Sequence, residues 1–162
     1  MADERGSIRM DDAELAAYLD DRRILTVASH SADGTIHVVP MWFVREDGGT
    51  LVMWTNGRSQ KAVNLRRDPR VTVLAESGEG YFELRGVSIA GRAELVEGVD
   101  AVLAIGRRVS ARYSLDAPDE FLRYQATKRV GIRVVPDRVT SWDHAKLSTA
   151  AGSGGSERSG IA

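Results

Sequence analysis

The spacing of apolar positions changes from stretch to stretch along this chain, and each spacing predicts an element. After Asp11-Asp12, Leu15, Tyr18 and Leu19 recur at helical intervals, which predicts a short helix ending near Asp20-Asp21. Ile24 to Ala28 is apolar and β-branched, a strand by propensity. Ala32-Asp33-Gly34-Thr35 reads as a turn, Ile36 to Val44 as a second strand, Glu46 to Gly49 as another turn and Leu51 to Thr55 as a third strand. Turns this short pair the three strands antiparallel. Asn56-Gly57 ordinarily signals a hairpin, but Ser59 is a good helix N-cap. Lys61 to Arg67 is helix-compatible until Asp68-Pro69 stops it.

Val71 to Ala75 returns to strand spacing, and Ser77 to Gly80 is a loop. A β-rich stretch then runs from Tyr81 to Val96, with Gly86 and Gly91 marking bulges or sharp bends. From Val99 the period becomes helical, with Val99, Val102, Leu103, Gly106, Val109 and Tyr113 on one face. A shorter helix follows from Asp116 and Pro118 to Tyr124. Val130 to Val135 and Arg138 to Trp142 read as two last strands around a Pro136-Asp137 turn. Residues 1–10 lack a packing pattern and are expected to form a flexible arm. Residues 148–162 are rich in Gly and Ser and are expected to be a disordered tail, leaving 11–147 as one domain. Many short strands with few helices predict a small antiparallel barrel. The absence of βαβ repeats and of a G-x-G-x-x-G after a strand argues against a Rossmann fold.

Composition narrows the chemistry. The 162 residues are 43% hydrophobic and 28% charged, with a formal net charge of -1, so no overall basic field draws the chain to nucleic acid or an anionic membrane. There is no cysteine, which removes thiol catalysis and thiolate metal sites. His30, His37 and His144 lack metal-ligand spacing. The first residues are polar, with no apolar signal core, and the apolar runs are far too short to span a bilayer, so the expected address is cytoplasmic. Lysine occurs only at 61, 128 and 146, so Lys61 stands out among the arginines.

Three segments can carry chemistry. In the first, a strand through Met53, Trp54 and Thr55 delivers the chain to a Gly-containing loop and a helix start at Arg58-Ser59-Gln60-Lys61. Unpaired N–H groups and the helix dipole favour an anion there, and two cations, a hydroxyl and an amide suit a phosphate. The alternative is a solvated, well-capped surface helix. In the second, Val39-Pro40-Met41-Trp42-Phe43, Pro40 cannot donate to a ladder, which places the strand at an edge or a cleft. Met41, Trp42 and Phe43 offer a flat apolar surface for a fused ring system, or else belong to the core and a dimer interface. The third, Arg138 to His144, either completes a pocket through Trp142 or packs it in the core. Asp143-His144 has no nucleophile candidate nearby, so no triad is read.

In their order and spacing these segments, with Asp33-Gly34, Asn64-Leu65, Asp68-Pro69-Arg70-Val71 and the Gly86/Gly91 stretch, resemble the pyridoxamine-phosphate-oxidase-like split-barrel family. The likeness covers roughly residues 11–143 and is greatest to the branch that binds the deazaflavin coenzyme F420. The resemblance implies a mainly β fold with flanking helices: a six-stranded antiparallel split β-barrel that forms a homodimer with cofactor clefts between subunits. It implies that Arg58, Ser59, Gln60 and Lys61 hold the cofactor phosphate. It sets Val39, Pro40, Met41 and Trp42 beside the ring, runs the backbone of Met53, Trp54 and Thr55 along the ring and its side chain, and brings Trp142 from the other subunit.

Gln60 stands where pyridoxamine phosphate oxidases usually have Arg, and the residues after Asp143 show no pyridoxal-phosphate set, which argues against vitamin B6 oxidation. One fewer cation also favours a phosphodiester over the monoester of FMN. The implied activity is hydride transfer from reduced F420 to a small electron-poor acceptor: an enone, a quinone or a tetrapyrrole-like pigment. The alternatives are an FMN flavoprotein and a non-enzymatic flavin or deazaflavin carrier.

Overall fold

Leu25, Val27 and Ser29 are buried while Thr26, Ala28 and His30 are not, the period-two signature of a strand with one face in a core. The same alternation recurs along the chain. In the computed structural model, which describes residues 4–152, it builds one antiparallel sheet. Its strands are β1 (Leu25–His30), β2 (Ile36–Met41), β3 (Val44–Arg45), β4 (Leu51–Asn56), β5 (Arg70–Ser77), β6 (Arg85–Val96) and β7 (Arg129–Asp143), in the order β2-β1-β5-β6-β7-β4-β3. β2 and β3, the two edges, are joined in the chain by Trp42-Phe43 alone. The sheet must therefore curl until its edges meet, and it forms a half-barrel with a seam that no ladder crosses.

The resemblance implies six strands and the residue pattern marks seven; the sheet has seven, differently divided, because the predicted run from 36 to 44 breaks after Met41. The chain leaves β1 after Met41, opposite Leu25, and joins β4 at Val44, opposite Val52; Trp42 and Phe43 between them belong to neither ladder, although their side chains still alternate, Trp42 outside and Phe43 in the core. The two predicted last strands are instead one, β7. Pro136 lacks an N–H, and the pairing with β6 shifts between Ala90 and Gly91, so the strand bends there without ending. Tyr81–Glu83, expected as strand, is a 3-10 turn.

Helices α1 (Glu4–Ser7), α2 (Asp12–Asp21), α3 (Gln60–Arg67), α4 (Val99–Arg112), α5 (Asp119–Ala126) and α6 (Ala145–Gly152) complete the fold. Asp11 caps α2 reciprocally with Glu14, each side chain accepting the other's backbone N–H at 2.8 Å. α2 and α3 close opposite ends of the half-barrel. Tyr18 of α2 donates to Arg85 O, where β5 ends, and the Pro69 carbonyl just past α3 accepts from Ala93 N, where β5 begins. In the first ten residues, α1 is followed by Ile8, whose carbonyl accepts from Asp143 N, and by Met10, which enters the core. The expected tail falls on α6 up to Gly152; residues 153–162 lie outside the described residues.

Leu25, Val27, Phe43, Met53, Val73, Val87 and Ile132 fill the inside of the curl. Outside, α4 covers Val52 and Trp54 of β4, and α5 packs on α4 through Leu122 and Ala126. The other outer half carries no helix among the described residues. Its register sets Pro40, Thr26, Leu74, Ser88 and Thr140 in one row and Val38, Ala28, Thr72, Ala90 and Arg138 in the next. Among the described residues no helix is long and apolar enough to cross a membrane.

The bend in β7 depends on Gly91, where an added Cβ would lie 2.1 Å from the Val135 carbonyl oxygen. Gly91→Ala is expected to cost about 2 kcal/mol of stability, read as a lower urea midpoint. An unchanged midpoint would show that the bulge yields freely.

Candidate functional site

The seam gathers most of the candidate residues. On one side lies β2, paired only with β1; on the other lies β4, whose Met53–Asn56 stretch has β7 on one flank and no strand on the other, since β3 pairs only with Leu51 and Val52. Two open strand edges and the Trp42-Phe43 crossing thus frame a slit, and α3 starts at the end of β4. Val39 and Met41 face inward, half-buried, while Pro40 and Trp42 are exposed. Met53 is fully buried, so only its backbone faces the slit. Trp54 packs outward against α4, where an added Cβ on Gly106 would meet its ring at 2.6 Å.

α3 is held by its interior face. Ala62 and Leu65 are buried, and Asn64, also buried, donates to the Ser29 and Ser31 hydroxyls. That fixes the direction of its first turn. Ser59 occupies the N-cap position but makes no capping hydrogen bond. Its hydroxyl lies 3.3 Å from that of Thr55, so the first-turn N–H groups of α3 remain available to a ligand. Gln60 donates one amide N–H to Asn64 Oδ1 at 2.8 Å, which leaves it one N–H and no charge to offer an anion. The Arg58 side chain is exposed and unpaired.

Lys61 is half-buried, and among the described residues no carboxylate or hydrogen-bond acceptor partners it. Burial, and secondarily the charge of Arg129, pull its ammonium below the ordinary lysine value. Arg129, opposite Asn56 at the start of β7, is also half-buried and pulled down by burial. It lies 4.6 Å from the Trp54 ring centroid, and its one hydrogen bond is to the neutral Gln125. Two half-buried cations with no counter-ion among the described residues favour an anion. Sequence reasoning missed Arg129, because nothing local marks it. Only the pairing of β4 with β7 brings it to Lys61.

The cations continue past this pair. Asn56, Gly57, Arg58, Arg66, Thr127, Lys128, Arg129 and Val130 line a cavity of about 450 Å³; none of these is an acid, and Arg66 is paired with Glu97. Trp142 is not brought to this place within one chain. It stands at the far end of β7 on the bare outer face, over Gly86, where an added Cβ would fall 2.2 Å from its ring.

The family described as Pyridoxamine 5'-phosphate oxidase matches residues 11–143. No curated protein of described function matches the chain. Among solved structures, a conserved hypothetical protein from Mycobacterium tuberculosis is 40% identical, with a TM-score of 0.82 over 99% of this chain and 98% of that one. A protein titled F420 Reductase is 25% identical, with a TM-score of 0.60 over 76% of this chain and 93% of its own. A FAD-binding protein from Mesorhizobium loti shares the fold at 20% identity, with a TM-score of 0.62 over 82% and 94% of the two chains.

An unpaired cation costs the protein stability when no anion is bound. Lys61→Met should therefore add about 0.5 kcal/mol or more of stability in phosphate-free buffer, read as a higher midpoint of thermal unfolding. In the wild type the folded chain binds fewer protons at Lys61 than the unfolded chain does, so stability rises with pH from its lowered value up to about 10.5. The variant should lose that rise. A lower midpoint for Lys61→Met would mean that an unseen partner already neutralises the lysine.

Proposed function

The chain belongs to the pyridoxamine 5'-phosphate oxidase family, and on that footing we propose that it is a reductase dependent on coenzyme F420 that passes a hydride to a small electron-poor acceptor. The observation that carries this reading is the pair Lys61 and Arg129, half-buried and with no counter-ion among the described residues, at the start of α3. With Ser59 and the first-turn N–H groups they form a cradle for a phosphate.

Two features favour a deazaflavin over FMN. Gln60 is engaged with Asn64 and adds no charge, which suits a phosphodiester better than a dianionic monoester. The further cations Arg58, Arg66 and Lys128 suit a cofactor that carries negative groups beyond its phosphate. The likeness to an F420 reductase points the same way.

The slit between β2 and β4 would take the ring, with Val39, Pro40, Met41 and Trp42 along one wall and the backbone of Met53, Trp54 and Thr55 along the other. When bound, such a cofactor supplies the hydride from a ring carbon. The residues of this chain bind and orient. Lys61 and Arg129 fix the phosphate end, the open strand edges offer N–H and C=O groups to the ring's polar rim, and the apolar wall excludes water. Membership of the cytoplasm belongs to the same proposal. So does a homodimer: Ile36 and Val38 are more than half exposed on the bare outer face, an area that a second copy would cover, with Trp142 at its end.

Titration with F420 and with FMN side by side should show preference for F420, followed by its fluorescence. Lys61→Ala and Arg129→Ala are each expected to weaken it at least tenfold with the circular dichroism spectrum unchanged. Equal affinity in both variants would remove the phosphate assignment, and tighter binding of FMN would move the protein to the flavin side. Light scattering should give twice the chain mass; a monomer mass would remove the shared cleft.

A further inference from the structure

Trp42 is exposed and yet rigidly held. Its ring stacks on Tyr113 with centroids 4.5 Å apart and 13° between the planes. Tyr113 is pinned in turn: its hydroxyl accepts from Phe43 N at 2.9 Å and stands 2.7 Å from Arg23 O and 3.1 Å from Phe43 O, one of which takes its proton. The guanidinium groups of Arg23 and Arg112 lie 5.7 and 5.9 Å from the same ring. One indole face is therefore covered, while 46% of Trp42 stays open to solvent where β2 ends at the crossing of the seam. A large apolar side chain fixed in place with a free face is arranged to stack on something.

We infer that the free face of Trp42 is the platform for the acceptor, and that the acceptor is a planar, electron-poor ring of the quinone class. This rests on the slit being the deazaflavin site, since Trp42 stands at the β2–β3 crossing that closes the slit. The faces of indole and phenol carry the negative side of their ring quadrupoles, so the Trp42–Tyr113 stack is complementary to an electron-poor ring laid parallel to it. In size an indole matches one or two fused rings. An open-chain enone offers little plane to cover it, and a tetrapyrrole would overhang it on every side. The step is one of binding only, in which no proton or electron moves.

The test is calorimetric titration of the whole chain, without cofactor, with a 1,4-naphthoquinone and with a fully saturated diketone of the same ring size. Quinone binding should quench tryptophan fluorescence, and Trp42→Leu should weaken it roughly tenfold. Trp42→Phe, which keeps a ring, should retain most of the affinity. Tyr113→Leu should fall between, because it frees Trp42 to rotate. Quinone binding is measured without F420, so a failure of the phosphate cradle, read from F420 affinity, and a failure of the platform, read from quinone affinity, give different results. Undiminished binding in Trp42→Leu, or equal affinity for the saturated diketone, would overturn the inference.

Discussion

A sheet whose two edge strands are separated by two residues has only one way to fold, and most of this molecule follows from that constraint. Trp42-Phe43 is too short to let β2 and β3 stand at opposite sides of a flat sheet, so the sheet rolls until they lie side by side. What holds the roll at that point is the end of α4. Tyr113 bonds the backbone of Phe43, and Arg112 donates to the carbonyls of Leu19, Asp20 and Arg22 at the end of α2. A helix far along the chain thus joins the seam to the cap of the barrel, and the buried Phe43 ring lies 4.8 Å from the Arg112 guanidinium.

Once the seam is fixed, the outer surface divides in two. The half bearing β4 is roofed by α4 and α5, and there the strands carry large residues such as Val52 and Trp54 that need a cover. The half running from β2 to the end of β7 carries small or polar outward residues, Ala28, Thr72, Ser88 and Thr140, with apolar Val38, Ile36 and Pro40 at its edge. β7 serves both halves because Gly91 lets it bend. One strand therefore starts at the cation site with Arg129 and ends on the bare face with Trp142.

Much of this was legible in the residues themselves. Strand spacing, the helical face of Val102, Leu103, Gly106 and Val109, and the stop at Asp68-Pro69 are local signals, and the elements they predict are present. The break after Met41 and the continuity of β7 through Pro136 were not legible, because each is decided by what lies across the sheet. Past Met41 the chain runs out of β1 to pair with and takes up β4 at Val44, and Pro136 is tolerated because Gly91 opposes it. The site divides in the same way. Arg58, Ser59 and Lys61 lie within four residues and announce a helix start, whereas Arg129 reaches Lys61 only through the β4–β7 register. Tyr113 looked like one more residue of a helical face; its hydroxyl, which tunes the seam, has no sequence signature.

The uncompensated pair of cations beside Trp54 has a consequence for the life of the molecule in a cell. Any anion that settles between Lys61 and Arg129 removes their mutual repulsion, so occupancy is coupled to folding. The gain grows with the logarithm of free ligand once its concentration exceeds the dissociation constant. Chains made when that ligand is scarce spend a larger fraction of time unfolded and are more open to proteolysis. The quantity of this protein would then follow the supply of its ligand with no dedicated regulator, turnover itself acting as the gauge.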